Sequence, residues 1–323
     1  MEILPPEAPK RTRETPLFAG ARMESSIFYG PNGLRAGWSV LLYIGVLMAL
    51  LYLAGFELHW FARYLHRSMP GQRSGEAYPT LVTVVEAMTL LAVVLATAGM
   101  ARVERCRVAF YGLIGSDRVR QFFIGIASGF AFISLLVGIL LATHHLELSR
   151  SNLPVGQTAI YAAAWGLCFL LVGMTEELMF RGYPLFTLAR GIRFWPAAFL
   201  LAATFGLLHM GNHGESPFGL VAAMLIALVF SLSLWRLGHL WWAIGFHAAW
   251  DWGESFFYGT PDSGAVSAGR LMHAHPSGAV LLSGGTTGPE GSGWVLLVIA
   301  LAALFVWVTQ PRHGIRLAEK ERL

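Results

Sequence analysis

Apolar stretches dominate the chain and recur at a length that matches a lipid bilayer. Runs at 36–56, 79–101, 121–143, 165–189, 194–212, 217–235, 239–258 and 293–310 each approach the roughly 20 residues that a helix needs to cross hydrocarbon. The pattern predicts an all-α fold, a polytopic membrane helix bundle of about eight transmembrane helices forming one domain over 36–310. No internal repeat divides it. The segment 1–35 is polar and Pro-rich, with Lys10, Arg11, Arg13, Arg22 and Arg35. It lacks a short apolar core followed by a small-residue cleavage site, so it reads as a disordered or surface-lying cytoplasmic arm and not as a signal peptide. The stretch 259–293 is rich in Gly, Ser, Thr and Pro, as in SGGTTGPEGSG from Ser283, and reads as a flexible, exposed outer loop. Residues 311–323 form a basic cytoplasmic tail.

The fourth run needs its own argument. Hydropathy alone closes it at Met174 and leaves two glutamates in a loop. The apolar character resumes in LMF and YPLFTLA, however, up to Arg190. A span from near Trp165 to near Ala189 therefore places Glu176 close to mid-membrane, with 158–164 as an entry segment at the outer interface.

Composition agrees with a membrane protein. Of 323 residues, 55% are hydrophobic and 13% charged, against about 25% charged in soluble domains; the mean hydropathy is +0.56. The net charge of +4 and pI near 9.3 do not indicate a nucleic-acid partner, because the arginines sit beside apolar spans and act as orientation signals. With the N-terminus inside, 17 of the 23 Lys and Arg fall on the inner side and 5 on the outer, with Arg181 inside the membrane. That bias predicts both termini in the cytoplasm. The two cysteines, Cys106 and Cys168, lie in an Arg-rich loop and an apolar run, so neither a disulfide framework nor a thiolate metal site is indicated.

Candidate chemistry lies in the ionisable residues inside the spans, where charge is expensive and a functional site is the default reading. In TEELMFRGYP, Thr175 to Pro184, Glu177 and Arg181 are four residues apart and face one another, while Glu176 lies about 100° round the helix. One carboxylate can neutralise the arginine while the other stays free. A structural ion pair locking two helices is the alternative, and it gives no use for the second glutamate. The next span carries Phe205 and His209, with His213 one turn on; His209 alone also fits a hydrogen-bonded packing residue. GFHAAWDW places His247 and Asp251 four apart on one helix face, a spacing that suits a metal, a catalytic imidazole or mutual satisfaction. Arg236 and His239 read as anchors near the inner boundary, His144 and His145 as interfacial, and Glu86 as a lone carboxylate.

The order Glu-Glu-x-x-x-Arg, Phe-x-x-x-His, His-x-x-x-Asp, each in its own span, resembles the CAAX protease and bacteriocin-processing (CPBP) family of intramembrane endopeptidases, which includes the type II CAAX prenyl proteases. The matching residues are Glu176, Glu177, Arg181, Phe205, His209, His247 and Asp251, and the resemblance covers roughly 160–256. It departs from the prenyl proteases at Asp251, where they are expected to carry Asn; an ionised Asp cannot donate a hydrogen bond to an oxyanion. The resemblance implies hydrolysis of a peptide bond in a membrane-associated protein or peptide. A partly desolvated Glu176 suits a general base, His209 would hold or deprotonate the same water, and His247 would donate to the oxyanion. Asp251 would orient that imidazole, and Glu177 with Arg181 would support the helix. Spacing leaves open which glutamate is the base. A zinc site of His209, His247 and Glu176 is the metal-dependent alternative. The cofactor-free reading is preferred, because HExxH is absent and two histidines with carboxylates on separate spans specify a metal only loosely. Transport and a non-catalytic scaffold use similar residues, but no paired Gly/Pro-interrupted half-helices are present. Short loops point to a prokaryotic plasma membrane. Nothing in the sequence sets an oligomeric state.

Overall fold

A computed structural model describes residues 27–30, 33–68, 76–212 and 214–311. Most of the N-terminal arm, all but the first residue of the basic tail, and His213 lie outside them. A small antiparallel hairpin, β1 (Tyr29–Gly30) and β2 (Gly33–Leu34), precedes α1 (Ala36–Ser68). There follow α2 (Pro79–Glu104), a 3₁₀ turn (Val108–Phe110), α3 (Arg118–Ala142), β3 (Leu146–Arg150), α4 (Val155–Arg181), α5 (Tyr183–Ile192), α6 (Phe194–Leu208) and α7 (Pro217–Leu237). α8 (Trp241–Asp251) runs on as a π-helical stretch (Trp252–Tyr258). Strand β4 (Met272–Pro276), a single turn α9 (Val280–Ser283) and α10 (Trp294–Thr309) complete the chain.

The protein is thus an all-α polytopic membrane bundle. Among the described residues, six helices are long and apolar enough to cross a membrane: α1 over Ala36–Gly55, α2, α3, the α4–α5 unit, α6 with its following turn, and α7. The other two expected spans are shorter. α10 has 16 residues, and α8 has 11 before the hydrogen bonding changes. The fourth span also differs from expectation: its helix starts at Val155, takes in 158–164, and breaks at Gly182. There the backbone turns so tightly that a Cβ would lie 2.3 Å from the Leu178 carbonyl oxygen, and Pro184 follows at the start of α5.

α8 is the centre of the bundle. Nine of its eleven residues are buried, and apart from His247 and Asp251 it is apolar all round, as suits a helix enclosed by protein. Its backbone is approached closely from α3: a Cβ at Gly125 would lie 2.3 Å from the Trp242 carbonyl oxygen, at Gly129 2.2 Å from that of Phe246, and at Gly245 2.2 Å from that of Phe122. Gly125 and Gly129 form a Gly-x-x-x-Gly pair, the spacing that lets two membrane helices touch backbone to backbone. From the other side, Gly173 of α4 brings that helix within contact of Ile244 and Ala248.

The stretch expected as an exposed outer loop, 259–293, is instead folded onto the bundle. β4 pairs antiparallel with β3, Met272 opposite Arg150, and Thr260, Ala268, Thr287 and Ser292 are buried. Its polar groups are satisfied locally: Ala268 N donates to Ala77 O, Gly264 N to Thr287 O, and the Thr260 hydroxyl to Glu254 O. The same small residues that suggest flexibility permit this close packing; Gly288, at φ +105°, could not carry a Cβ without striking Pro261.

At the opposite end, the residues read as boundary anchors are buried ties. Arg236 donates to the carbonyl oxygens of Trp307 and Gln310, placing a cation at the negative end of α10. His239 Nε2 meets Asp117 Oδ1 at 2.9 Å. Burial pushes the Asp117 carboxyl up, but hydrogen bonds with His239 and Gln121 outweigh it and hold the group below the usual range.

Two outcomes follow. Gly129→Leu forces α3 off α8, and thermal unfolding in detergent should show a loss of about 1–3 kcal/mol or more, the scale of overpacking a core; an unchanged melting temperature would mean the contact is not tight. Because Asp117 is more acidic in the folded chain, its contribution is present at neutral pH and is lost as pH falls below about 4, the ordinary Asp value. Asp117→Asn should therefore flatten the acid side of the melting-temperature profile.

Candidate active site

The α-helical pitch of α4 turns its adjacent glutamates to different surroundings. Glu177 is fully buried. Its Oε1 accepts from Arg181 Nη1 at 3.2 Å and lies 3.2 Å from His247 Nδ1, so one carboxylate joins α4 to α8. Arg181 is 2% exposed and finds its second environment in aromatic faces: the guanidinium carbon lies 4.6 Å from the Phe205 ring centroid, 5.6 Å from Phe230 and 5.8 Å from Phe180. A desolvated cation is stabilised by such rings, which gives Phe205 a physical role. Among the described residues, Glu177 Oε2 and Arg181 Nη2 find no hydrogen-bond partner. A buried pair left partly unsatisfied contributes orientation more than stability.

Glu176, 29% exposed at its side chain, faces a cavity of about 610 Å³. Its Oε2 lies 3.5 Å from His247 Nε2. The His247 ring stacks on Phe230 with centroids 5.4 Å apart and planes at 23°. Asp251 Oδ2 approaches Nε2 of the same ring at 3.6 Å. His209, at the end of α6, is held by Nδ1 at 2.8 Å from the Phe205 carbonyl oxygen. A carbonyl only accepts, so Nδ1 carries the proton there and Nε2 of the neutral ring is left as an acceptor.

Glu176, His209, His247, Asp251 and Phe205 all line this one cavity, with Phe169, Phe246 and Trp250 among its apolar walls. Glu177 and Arg181 stand behind it. Asp251 contacts the His247 ring on its Nε2 side, and Glu177 meets it at Nδ1. Asp262 and Glu290, from the folded 259–293 segment, also line the cavity; neither sits in a motif, so spacing gave no sign of them. Burial raises the Asp262 carboxyl, and burial together with the charge of Asp262 pushes Glu290 up to about 8. Among the described residues, one group of three metal-binding side chains has its ligand atoms all within 4.8 Å of one another, and it is Glu254, Asp262 and Glu290; His209, His247 and Glu176 do not form such a group.

Residues 156–253 match the family model described as type II CAAX prenyl endopeptidase Rce1-like. The match encloses every motif residue from Glu176 to Asp251, is consistent with a CPBP-family protease, and supports a CAAX-type intramembrane endopeptidase in general. No curated protein and no solved structure matches the chain.

Arg181→Lys retains the charge but loses the planar cation over three rings. Its expected effect is a lower melting temperature in detergent, by the equivalent of about 1 kcal/mol or more, whereas an unchanged value would show that the aromatic cage contributes nothing.

Proposed function

With an Rce1-like domain across residues 156–253 as the premise, we propose that the protein is an intramembrane endopeptidase that hydrolyses a peptide bond in a membrane-associated protein or peptide, using a water activated by Glu176 and His209. The observation that carries this reading is the convergence of Glu176, His209 and His247 on one cavity within the helix bundle. Peptide hydrolysis needs a nucleophilic water, a donor for the tetrahedral oxyanion and a proton for the leaving amine. His209, with Nδ1–H fixed on Phe205 O, presents Nε2 to accept a hydrogen bond from the water. Glu176 takes the water's proton as its oxygen attacks the carbonyl carbon, and returns that proton to the amine when the C–N bond breaks.

His247 serves as the oxyanion donor. Its Nδ1–H is anchored on Glu177, so Nε2 is the nitrogen presented to the cavity. Glu176 and Asp251 near that nitrogen favour a ring carrying a proton at Nε2, which can then donate to developing negative charge. Asp251 acts through His247 and makes no hydrogen bond of its own to the oxyanion. The water is activated without a metal in this scheme, supported by the loose ligand set: among the described residues, His209, His247 and Glu176 do not bring three ligand atoms within 4.8 Å of one another. In a prokaryotic plasma membrane with both termini cytoplasmic, as the Lys and Arg bias favours, the 259–293 segment lies on the outer face.

The test is cleavage of co-reconstituted membrane peptides, read by mass spectrometry. Glu176→Gln should lower the rate by about 10²-fold or more, the usual scale of a lost general base, with the melting temperature retained. Undiminished cleavage by that variant removes Glu176 from the mechanism, and Glu176-dependent proton flux in sealed vesicles without cleavage would assign the residues to transport.

A further inference from the structure

Beyond the motif residues, three carboxylates from separate parts of the chain meet at one edge of the cavity. Glu254 comes from the π-helical stretch after α8, Asp262 from the segment that follows, and Glu290 from a 3₁₀ turn (Pro289–Gly291) before α10. One oxygen from each lies within 4.8 Å of the other two. Glu254 is fully buried. Its Oε2 accepts from Trp250 Nε1 at 3.0 Å, and Glu290 Oε1 takes the same N–H at 2.8 Å, so two carboxylates share one donor. Asp262 Oδ2 accepts from the Ser255 hydroxyl at 2.9 Å. Glu254 Oε1, in contrast, is buried without a hydrogen-bond partner among the described residues.

Among the described residues, no ion pair includes Glu254, Asp262 or Glu290. Three desolvated carboxylates facing one another are costly unless a cation or protons neutralise them. An oxygen-only ligand set suits a hard cation. Calcium, which takes six to eight oxygens in flexible geometry, suits ligands gathered from three chain segments better than magnesium, which demands near-ideal octahedral geometry.

We propose that Glu254, Asp262 and Glu290 bind a calcium-class divalent cation. The ligands join the continuation of α8, which carries His247 and Asp251, to two points of the 259–293 segment. A cation there fastens that segment over the cavity and sets the shape of its mouth, since Asp262 and Glu290 also line it. The remaining coordination positions of a six- to eight-oxygen shell fall to water on the cavity side. The site is structural and stands apart from the hydrolytic reading.

The test uses the full chain in detergent, stripped with a chelator and titrated with calcium chloride or magnesium chloride alone, read by melting temperature and by calorimetric binding. Calcium should raise the melting temperature of the wild type saturably by roughly 5 °C or more, as linkage to a folded-state ligand requires, with magnesium weaker. Asp262→Asn keeps a hydrogen-bond acceptor for Ser255 and removes a repelling charge. It should fold, match or exceed the stripped wild type in stability, and lose the calcium increment; Glu290→Gln should do the same. No increment in the wild type up to about 10 mM calcium, above the range of weak extracellular sites, would overturn the proposal and leave shared protons as the neutralising agent. An equal increment in both variants would overturn it too, by placing the calcium elsewhere. Neither readout depends on catalysis.

Discussion

One buried carboxylate holds the centre of this protein together. Glu177 lies between Arg181 on its own helix and His247 on another, where water is excluded and neither charge could persist alone. Arg181 is in turn enclosed by Phe180, Phe205 and Phe230, and Phe230 also stacks on His247. Four helices, α4, α6, α7 and α8, therefore contribute to fixing one imidazole. The adjacent Glu176 is released from that structural task and turned to the cavity. Neighbouring glutamates thus face different surroundings, one tied between two helices and one lining the cavity.

Such a constellation requires helices that do not shift against one another. α8 achieves this through backbone contact: Gly125, Gly129 and Gly245 bring α3 against it on one side, and Gly173 brings α4 on the other. Helix association in a bilayer depends on this kind of close packing, since apolar side chains gain little by leaving lipid. The π-helical continuation of α8 then carries the chain to Glu254, and the folded 259–293 segment returns over the cavity. Fold and site are thus coupled through a single enclosed helix.

Much of this could be read from residue order. Charged and imidazole groups in apolar runs are rare enough that Glu176, Glu177, Arg181, His209, His247 and Asp251 stood out as candidates, and helical spacing correctly paired Glu177 with Arg181. What spacing could not reveal was contact between helices. Asp251 shares a face with His247 at i,i+4, yet the Nδ1 contact goes to Glu177 on a different helix. Composition misled at 259–293, because Gly, Ser and Thr serve tight, internally bonded packing as readily as exposed loops. The break at Gly182 was masked because apolar residues stand on both sides of it, in LMF and YPLFTLA. Glu254, Asp262 and Glu290 are separated by 8 and 28 residues, and no local periodicity announces their meeting.

The central claim is that substrate chemistry occurs where Glu176, His209 and His247 converge. A structure of the Glu176→Gln protein with an uncleaved substrate peptide tests it most directly. The account predicts the scissile carbonyl inside the 610 Å³ cavity, its oxygen within hydrogen-bond reach of His247 Nε2 and a water between the carbonyl carbon and His209. A peptide seated elsewhere on the bundle, with its scissile bond remote from those three side chains, would contradict it.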